Sequence, residues 1–470
     1  MNDTIAAIST PFGEGAIAVL RLSGPRAVEL ADAVFRAKAR VAELKPRVQQ
    51  FGAILDGAEK LDDVLLTVFR GPASYTGEDV VEIAGHGGVL VSRRILELLL
   101  RDGARAANPG EFTQRAYLNG KMDLTQAEAV MDLISAQTNL ALRAATEQLE
   151  GRLGERIREL RERLLELLAH VEAFIDFPDE DIDPDTGEIL LGKLDAARVE
   201  IEALLATADR GKVLREGVRT VIYGAPNVGK SSLLNLLLGH ERAIVSAKPG
   251  TTRDVIEEVI NLRGIPLRLI DTAGVRESED EIECAGMERT RQQVERADLV
   301  LRVFDATEMW GRLAVCPDLS ERDGVNEGIT APPGSPARSG QTASLPHILT
   351  VLNKTDLGEH ESWRGHEAVR ISCQTGAGIE ALGDAIVAQV TGGAAAHRDW
   401  SLAINARHQD CLQKARGFAD AARRALTDGL SPEFMAEELR SALDAVGEVV
   451  GKADSEDVLG KIFSTFCIGK

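Results

Sequence analysis

The sequence predicts a multidomain protein, in which an N-terminal α+β domain is followed by a helical domain interrupted by a P-loop α/β domain. Hydrophobic residues between about 123 and 175 recur at the three- and four-residue spacing of an amphipathic helix, and a helical pattern returns at 192–212 and about 402–462. The segment between these parts, about 216–390, alternates β-branched runs with helices. The length agrees, since 470 residues predict about three domains of about 150 residues each.

The predicted domain boundaries follow these changes in pattern. Residues 1–120 combine short apolar runs with glycine and proline, which indicates an α+β domain. The helical domain is predicted in two parts, 121–214 and 391–470, on either side of the α/β domain at 215–390. Within the α/β domain, residues 311–346 are rich in Gly, Pro, Ser, Thr and Ala and exceed the roughly 12–15 residues of an ordered loop, so we expect a disordered insertion with no function of its own.

Composition and charge exclude several classes of protein. The hydrophobic share of 44% and the charged share of 27% argue against a disordered, collagen-like or coiled-coil chain. The net charge of -20 repels nucleic acid in bulk, so an RNA contact requires a local basic patch or a specific pocket. The five cysteines include no CxxC pair, which argues against a disulfide framework and a structural zinc site. Without a basic leader or a long apolar run, the chain is predicted to be cytoplasmic with no membrane span.

A phosphate-binding motif follows the strand predicted at 218–223. Residues Gly224–Ser231 match GxxxxGK[ST] and lead into an apolar helix. In such a loop, backbone N–H groups close on the phosphates, Lys230 reaches the β- and γ-phosphate oxygens, and the Ser231 hydroxyl holds Mg²⁺. A second element, Asp271–Gly274, follows another predicted strand and would bring a carboxylate towards Mg²⁺ and an N–H group to the γ-phosphate.

The base-binding elements predict that the nucleotide is GTP. Asn353–Asp356, with the sequence Asn-Lys-Thr-Asp, follows the strand predicted at 347–352. The Asp356 carboxylate can accept hydrogen bonds from N1–H and N2–H₂ of guanine, a donor pair that adenine lacks. Ser372-Cys373-Gln374 is similar in part to the SAK loop that contacts the base, and Gly250–Asp254 resembles a switch I with Thr252 as the Mg²⁺ ligand. Elements in this order argue against a doubly wound domain that binds no nucleotide.

The residue after the second phosphate element is unusual for a GTPase. Ras-type enzymes place there a glutamine that orients the attacking water, whereas this chain has Val275, whose side chain can neither donate nor accept a hydrogen bond. Another group must therefore position the water. The acidic segment 277–283 offers carboxylates, although its charge pattern alone favours a solvated loop.

With these motifs in place, nearly the whole chain resembles the MnmE (TrmE) family of tRNA modification GTPases, of the TrmE/Era-like P-loop group. The resemblance extends beyond the P-loop domain and excludes only the insertion at 311–346. It rests there on Gly71–Asp79, Glu82, His86-Gly87-Gly88, Asn108–Arg115, Leu118–Leu124 and the terminal Phe466–Lys470.

The resemblance implies a GTP hydrolase that works with the FAD-containing partner MnmG. Together they would form a carboxymethylaminomethyl or aminomethyl group at C5 of the wobble uridine of certain tRNAs. A tetrahydrofolate derivative, 5-formyl- or 5,10-methylene-tetrahydrofolate, would supply the one-carbon unit. By position, the folate site falls on four residues that the sequence alone would assign to solvated charges: Arg21, Glu82, Lys121 and Lys470. The resemblance also implies a homodimer and a heterotetramer or larger complex with MnmG.

The resemblance further implies that K⁺ takes the place of an arginine finger when two G domains meet. Asn227 would bind K⁺ through its side chain, and Ser246, Lys248 and Thr251 through backbone carbonyls. The catalytic glutamate falls on Glu283, which would orient or activate water. With Mg²⁺, the predicted nucleotide and cation site comprises Asn227, Val228, Gly229, Lys230, Ser231, Ser232, Ser246, Ala247, Lys248, Pro249, Gly250, Thr251, Thr252, Asp271, Thr272, Ala273, Gly274, Asn353, Lys354, Asp356 and Ser372.

Two questions stay open on the sequence. Cys467 is either a nucleophile toward C6 of uridine or a small packed residue, and the choice depends on the state of its thiol. The chain is either an enzyme of tRNA modification or a regulatory GTPase of the ribosome-assembly type. A folate-binding scaffold with a structural nucleotide site is a third, weaker interpretation. The N-terminal region and the Cys467 tail favour the enzyme, because a ribosome-binding switch requires neither.

Overall fold

The computed structural model describes residues 3–176, 187–240, 258–270, 294, 296–310, 347–391, 402–451 and 456–470. The chain divides into two compact units. Unit 1 comprises Met1–Ile134, Ala145–Leu205 and Arg407–Lys470, and unit 2 comprises Ser135–Ala144 and Ala206–Ala406. The predicted insertion at 311–346 lies outside the described residues, and the predicted domain boundaries stay a prediction.

Unit 1 begins with a mixed sheet. Its strands are Ile5–Ile8 (β1), Ile17–Ser23 (β2), Phe35–Arg36 (β3), Gln50–Asp56 (β4), Glu59–Phe69 (β5), Val80–His86 (β6) and Arg105–Ala106 (β7). They lie in the order β3-β4-β5-β6-β2-β1-β7, and neighbouring strands pair antiparallel except β1 and β7, which are parallel. The helices of this region are Ala27–Val34 (α1), Val89–Arg101 (α2) and Glu111–Leu118 (α3), with a short 3₁₀ helix at Val41–Glu43.

The core of this region forms where α1 and α2 pack on one face of the sheet. Alternate residues of the strands, such as Leu20, Leu22 and Ile83, are buried together with Ile95 and Leu99 of α2. The alternation follows from the two-residue period of a strand, and it leaves Arg21 and Glu82 on the opposite face. The α+β pattern predicted for residues 1–120 is present here.

Long helices build the rest of unit 1. The predicted amphipathic helix is confirmed at Arg152–Asp176, whose buried residues include Leu153, Ile157, Leu160, Leu164, Leu167 and Val171. This helix packs against the helices Gly187–Leu205 and Pro432–Val450. The helices that follow α3 are Leu124–Ser135 (α4), Asn139–Leu149 (α5), Arg152–Asp176 (α6), Gly187–Leu205 (α7), Ala208–Glu216 (α8), Ala406–Thr427 (α11), Pro432–Val450 (α12) and Glu456–Phe463 (α13). Of these, α8 and residues 139–144 of α5 lie in unit 2, together with the end residues Ser135 of α4 and Ala406 of α11.

A buried carboxylate joins the segments of unit 1. Glu128 on α4 lies 2.8 and 2.9 Å from Nε and Nη2 of Arg407, and its Oε2 lies 2.7 Å from Nε2 of the fully buried His408. Arg407 also donates to the carbonyls of Glu448 and Val449 near the end of α12. Burial would raise the pKa of the Glu128 carboxyl, but the charge of His408 and the hydrogen bond from Arg407 outweigh it and hold this pKa far below its usual range.

Unit 2 is an α/β domain. Its strands are Val218–Tyr223 (β8), Glu258–Leu262 (β9), Ile265–Leu269 (β10), Leu299–Asp305 (β11), His347–Asn353 (β12) and Val369–Arg370 (β13). They lie in the order β13-β12-β11-β8-β10-β9, and all pairs are parallel except β9 with β10. Its helices are α8, Lys230–His240 (α9) and Ile379–Val390 (α10), with 3₁₀ helices at Thr355–Leu357 and Glu361–Trp363. The strand predicted at 218–223 is confirmed at those residues, and that predicted at 347–352 runs one residue further.

A parallel sheet places the carboxyl ends of its strands at one edge, which is where ligands bind in open α/β domains. The loops after β8, β12 and β13 meet at this edge. Among the helices that the structure describes, none has the length and apolar character needed to cross a membrane.

Candidate functional site

The loop between β8 and α9 in unit 2 has the backbone of a phosphate-binding loop. Gly229 adopts φ +98°, and a Cβ there would lie 2.2 Å from Nδ2 of Asn353. A Cβ on Gly224 would lie 2.3 Å from the carbonyl oxygen of Val303. Both positions therefore require glycine, because any side chain would collide with neighbouring polar atoms. Asn227 is exposed and left-handed at φ 61°, and Val228 is buried.

Asn353 links three loops of the site. It is 2% exposed, and its Nδ2 donates to the carbonyl of Val228 in the phosphate-binding loop at 2.9 Å. Its Oδ1 accepts from the backbone N–H of Cys373, in the loop after β13, at 3.1 Å. A side-chain amide suits this position because it carries donors and an acceptor in one plane. The three sequence motifs are therefore joined by one buried side chain.

Lys230 lies in the first turn of α9, folded towards the loop that precedes it. Its Nζ donates to the carbonyl of Ala225 at 2.7 Å. Burial lowers the pKa of this ammonium, because a desolvated cation is less stable. A bound phosphate would raise this pKa, because its negative charge stabilises the ammonium. An anion in the loop would therefore stabilise the charged form of Lys230. The predicted Mg²⁺ ligand Ser231 and its neighbour Ser232 follow in the same turn, where backbone N–H groups also favour an anion.

The residues predicted to recognise the base occupy two adjoining loops. Asp356 is exposed in the 3₁₀ helix after β12, and the backbone N–H and Oγ1 of Thr355 donate to the carbonyl of Ile371 at 3.2 and 2.9 Å. Ser372 is buried, and its Oγ accepts from the N–H of Thr375. Burial, together with the nearby charge of Asp356, raises the pKa of the Cys373 thiol to about 11. Cys373 therefore stays neutral beside the carboxylate at neutral pH.

Lys354, between Asn353 and Asp356, pairs with a residue that the sequence analysis did not single out. It is left-handed at φ 64°, and its Nζ lies 2.6 Å from Oδ2 of Asp305 at the end of β11. Asp305 stands opposite Asn353 in the parallel register of β11 and β12. This placement depends on the strand order, which local sequence does not specify.

Part of the predicted nucleotide site cannot be placed. The following predicted residues lie outside the described part of the chain: Ser246, Ala247, Lys248, Pro249, Gly250, Thr251, Thr252, Asp271, Thr272, Ala273, Gly274 and Glu283. Their roles stay predictions.

Unit 1 holds the residues predicted to bind folate. Arg21 on β2 and Glu82 on β6 are cross-strand neighbours, and Nε and Nη2 of Arg21 donate to Oε1 of Glu82 at 3.0 and 2.8 Å. The Arg21 guanidinium also lies over the rings of Tyr75 and Phe112, 5.5 and 5.6 Å from their centroids. A cation, a carboxylate and two aromatic faces therefore meet at one place on the sheet.

The C-terminal tail is hydrogen-bonded to the backbone of Phe112. The N–H of Phe112 donates to the carbonyl of Lys470 at 3.2 Å, and Pro109 forms a β-bridge with Ile468. Gly469 adopts φ +94°, and a Cβ there would lie 2.6 Å from the carbonyl oxygen of Ile8. The tail therefore fits closely between β1 and the start of α3.

The remaining predicted residues lie on either side of this arrangement. Nζ of Lys121 donates to the carbonyl of Pro72 at 3.0 Å, in the same loop as Tyr75. Cys467 is exposed, so the interpretation as a small packed residue is wrong. The carbonyl of Cys467 accepts from the N–H of Gly110 at 3.4 Å, so the backbone holds this residue while its side chain faces solvent.

Tyr75 and Phe112 were not among the predicted site residues. Both lie in motifs that carry the family resemblance, Gly71–Asp79 and Asn108–Arg115. Tyr75 is half-buried, and desolvation raises the pKa of its hydroxyl, whose oxygen lies 2.9 Å from Oγ1 of Thr113. The feature of the sequence that could have indicated Tyr75 and Phe112 is that each is an aromatic residue inside a glycine-containing motif.

Comparisons with known proteins match nearly the whole chain. The family model of the MnmE helical domain matches residues 124–467, and that of the GTP-binding protein TrmE N-terminus matches residues 4–121. A protein of Akkermansia muciniphila named tRNA modification GTPase MnmE is 50% identical over 469 residues, with 99% of each chain covered. A protein of the same name from Aquifex aeolicus is 45% identical over 477 residues, with 100% of each covered.

Among solved structures, the G domain of the T. maritima FeoB iron transporter is 24% identical to this chain. It covers 36% of this chain and 96% of its own, with a TM-score of 0.23. A TM-score this low supports no conclusion.

Proposed function

Because the chain belongs to the MnmE family of tRNA modification GTPases, we propose that it hydrolyses GTP in the cytoplasm as part of building a substituent at C5 of the wobble uridine in certain tRNAs. The observation that supports the nucleotide part best is the position of Asn353, which joins the phosphate-binding loop to both base loops.

The described side chains have separate tasks in this proposal. The Asp356 carboxylate accepts hydrogen bonds from N1–H and N2–H₂ of guanine, and the neutral Cys373 beside it adds no competing charge. The N–H groups of the phosphate-binding loop and the start of α9 bind the phosphates, with Lys230 on their β- and γ-oxygens. These groups bind and orient GTP before hydrolysis begins.

The available donors suit hard cations. The Ser231 hydroxyl, in the first turn of α9, is an oxygen ligand of the kind that Mg²⁺ prefers, and the exposed amide oxygen of Asn227 suits K⁺. When bound, the two cations would neutralise negative charge on the phosphates during hydrolysis. Ser246, Lys248, Thr251 and Thr252 would complete this ligand set. By resemblance to the family, Glu283 would orient the water, a task that the side chain of Val275 cannot perform.

The folate proposal rests on the Arg21 cluster. Carboxylates of a tetrahydrofolate derivative would bind to the cations Arg21, Lys121 and Lys470, and the donors of its pterin to Glu82. The faces of Tyr75 and Phe112 would pack against its rings. We further propose a homodimer that works with the flavoprotein MnmG on tRNA, and Cys467, whose side chain is exposed, as the nucleophile toward uridine.

Two measurements test the proposal. GTP turnover by the purified chain is expected to be at least tenfold faster in K⁺ than in Na⁺ at equal ionic strength, and equal rates would remove the cation mechanism. Nucleoside mass spectrometry of tRNA from cells that lack this protein is expected to show unmodified wobble uridine, restored by the wild-type gene and not by Asn353→Ala. Unchanged wobble uridines would instead favour a regulatory GTPase of the ribosome-assembly type.

A further inference from the structure

Asp305, at the carboxyl end of β11, has a role in unit 2 that the family motifs do not assign. Its side chain is 8% exposed, and both of its carboxylate oxygens are bound. Oδ1 accepts from the backbone N–H of Thr307 at 2.9 Å and from its Oγ1 at 2.7 Å, and Oδ2 accepts from Nζ of Lys354 at 2.6 Å. The carboxylate is therefore fixed in orientation by one residue while it binds a second.

The charge on Asp305 is maintained in this setting. Burial would raise the pKa of its carboxyl, but the hydrogen bonds from Lys354 and Thr307 outweigh burial and lower it. Asp305 is thus an anion at neutral pH, and its bond to the ammonium is charge-assisted and short.

Lys354 stands in the base-binding loop, and its backbone is already restricted there. Its φ of 64° is one that non-glycine residues rarely adopt. Its side chain is 33% exposed. In the sequence, Lys354 lies between Asn353 and the predicted guanine ligand Asp356. A lysine side chain has a flexible four-carbon stem, so without an anchor it would sample many conformations. Binding of the ammonium to Asp305 removes most of that freedom.

We propose that Asp305 is a positioning residue for guanine-nucleotide binding: oriented by Thr307, it holds the Lys354 ammonium so that the methylene stem forms a preorganised apolar surface for the purine ring. The inference rests on the proposed GTP-binding function and adds Asp305 and Thr307 to the residues that serve it. A stem fixed before binding loses no further freedom when the nucleotide arrives, and preorganisation of this kind raises affinity.

The test is a double-mutant cycle on the full-length chain, with GDP affinity and dissociation rate measured by displacement of a fluorescent GDP analogue. Asp305→Asn is expected to weaken GDP binding about tenfold, which corresponds to about 1.4 kcal/mol. Lys354→Met keeps an apolar stem without the ammonium. If Asp305 acts through Lys354, Asp305→Asn has an effect of less than twofold in the Lys354→Met background.

A matched control lies at the other end of the same strand. Asp298 precedes β11 and accepts three hydrogen bonds at 3.0 Å from Arg219. Asp298→Asn removes the same charge from an ion pair at the amino end of β11, away from the nucleotide loops. This substitution is expected to leave GDP affinity within twofold of the wild type. Thermal unfolding of each variant reports whether the fold is retained.

The outcomes separate the possible explanations. Equal losses from Asp305→Asn in both backgrounds, or an equal loss from Asp298→Asn, would show a general structural role and overturn the inference. If Asp305→Asn does not fold, Thr307→Val decides, because it keeps the charge and removes only a hydroxyl donor; an approximately threefold faster dissociation of GDP is expected, and an unchanged rate would overturn the inference. A wild-type chain that binds no GDP would refute the proposed function instead.

Discussion

The strongest prediction concerns Asn353, the side chain that links the loops of the nucleotide site. Substitution to Ala removes its hydrogen bonds with Val228 and Cys373, which measure 2.9 and 3.1 Å. Val228 is 1% exposed, so its carbonyl has no ready access to water once the amide is gone. The partially exposed Cys373 can recover part of its bond from solvent.

The size of the effect follows from these two environments. A buried polar group left without a partner costs about 1–3 kcal/mol, and we take the full range for Val228 and about 1 kcal/mol for Cys373. The sum of about 2–4 kcal/mol corresponds to GDP binding that is about thirtyfold to about a thousandfold weaker. Some of this loss will appear as a lower stability of the domain, so both quantities must be measured.

The assay is titration of the full-length chain with GDP by calorimetry, combined with thermal unfolding. Thr355→Val is the matched control, because it removes one hydroxyl bond to Ile371 and leaves the backbone bond to the same carbonyl. Its expected effect on GDP affinity is less than tenfold. If Asn353→Ala binds GDP within threefold of the wild type and unfolds at the same temperature, the linking role of this side chain is refuted.

Three further predictions concern other parts of the molecule. Gly229→Ala is expected to abolish measurable GDP binding by calorimetry, because its Cβ would lie 2.2 Å from a buried amide, whereas Gly239→Ala, with nothing within 4 Å, should bind normally; equal affinities would contradict the steric argument. Glu128→Gln is expected to lower the free energy of unfolding by about 3–5 kcal/mol in urea titrations, against less than about 1 kcal/mol for the more exposed Glu172→Gln. Since the pKa of Glu128 is lowered in the folded state, its contribution is present above the unfolded value of about 4.3 and is lost as the pH falls below it, so the wild type should lose more stability than Glu128→Gln in acid; parallel pH profiles would show that Glu128 is not the group responsible. Arg21→Met should weaken binding of 5-formyl-tetrahydrofolate at least tenfold by calorimetry, and an unchanged affinity would count against the folate site.

Local sequence was sufficient for those features whose physical cause is local. The strand at Val218–Tyr223 and the helix at Arg152–Asp176 follow from hydrophobic runs and a helical period. The phosphate-binding loop is readable because its glycines and Lys230 must stand at fixed spacing between a strand and a helix. Side-chain identity also indicated the guanine ligand Asp356, although its role remains a prediction.

Contacts between distant segments could not be read in the same way. Asp305 meets Lys354 because β11 and β12 are neighbours in the sheet, and strand order is a property of the whole domain. Arg21 lies over Phe112 only after a sheet and a helix have packed, so the motif around Phe112 could indicate the aromatic residue but not its contact with Arg21. The exposed position of Cys467 depends likewise on how the tail lies against Gly110.

The divided layout of unit 1 has a consequence for biosynthesis. Glu128 and its partner Arg407 are 279 positions apart, and the whole of Ala206–Ala406 is translated between them. At the roughly 5–20 residues per second at which chains are made, the carboxylate waits roughly 15 to 55 s for its cation. During that interval the nascent N-terminal half carries the Glu128 carboxylate without Arg407, and burial of this carboxylate without a cation would be unfavourable. The second unit is then complete on the ribosome while the first still lacks its closing helices.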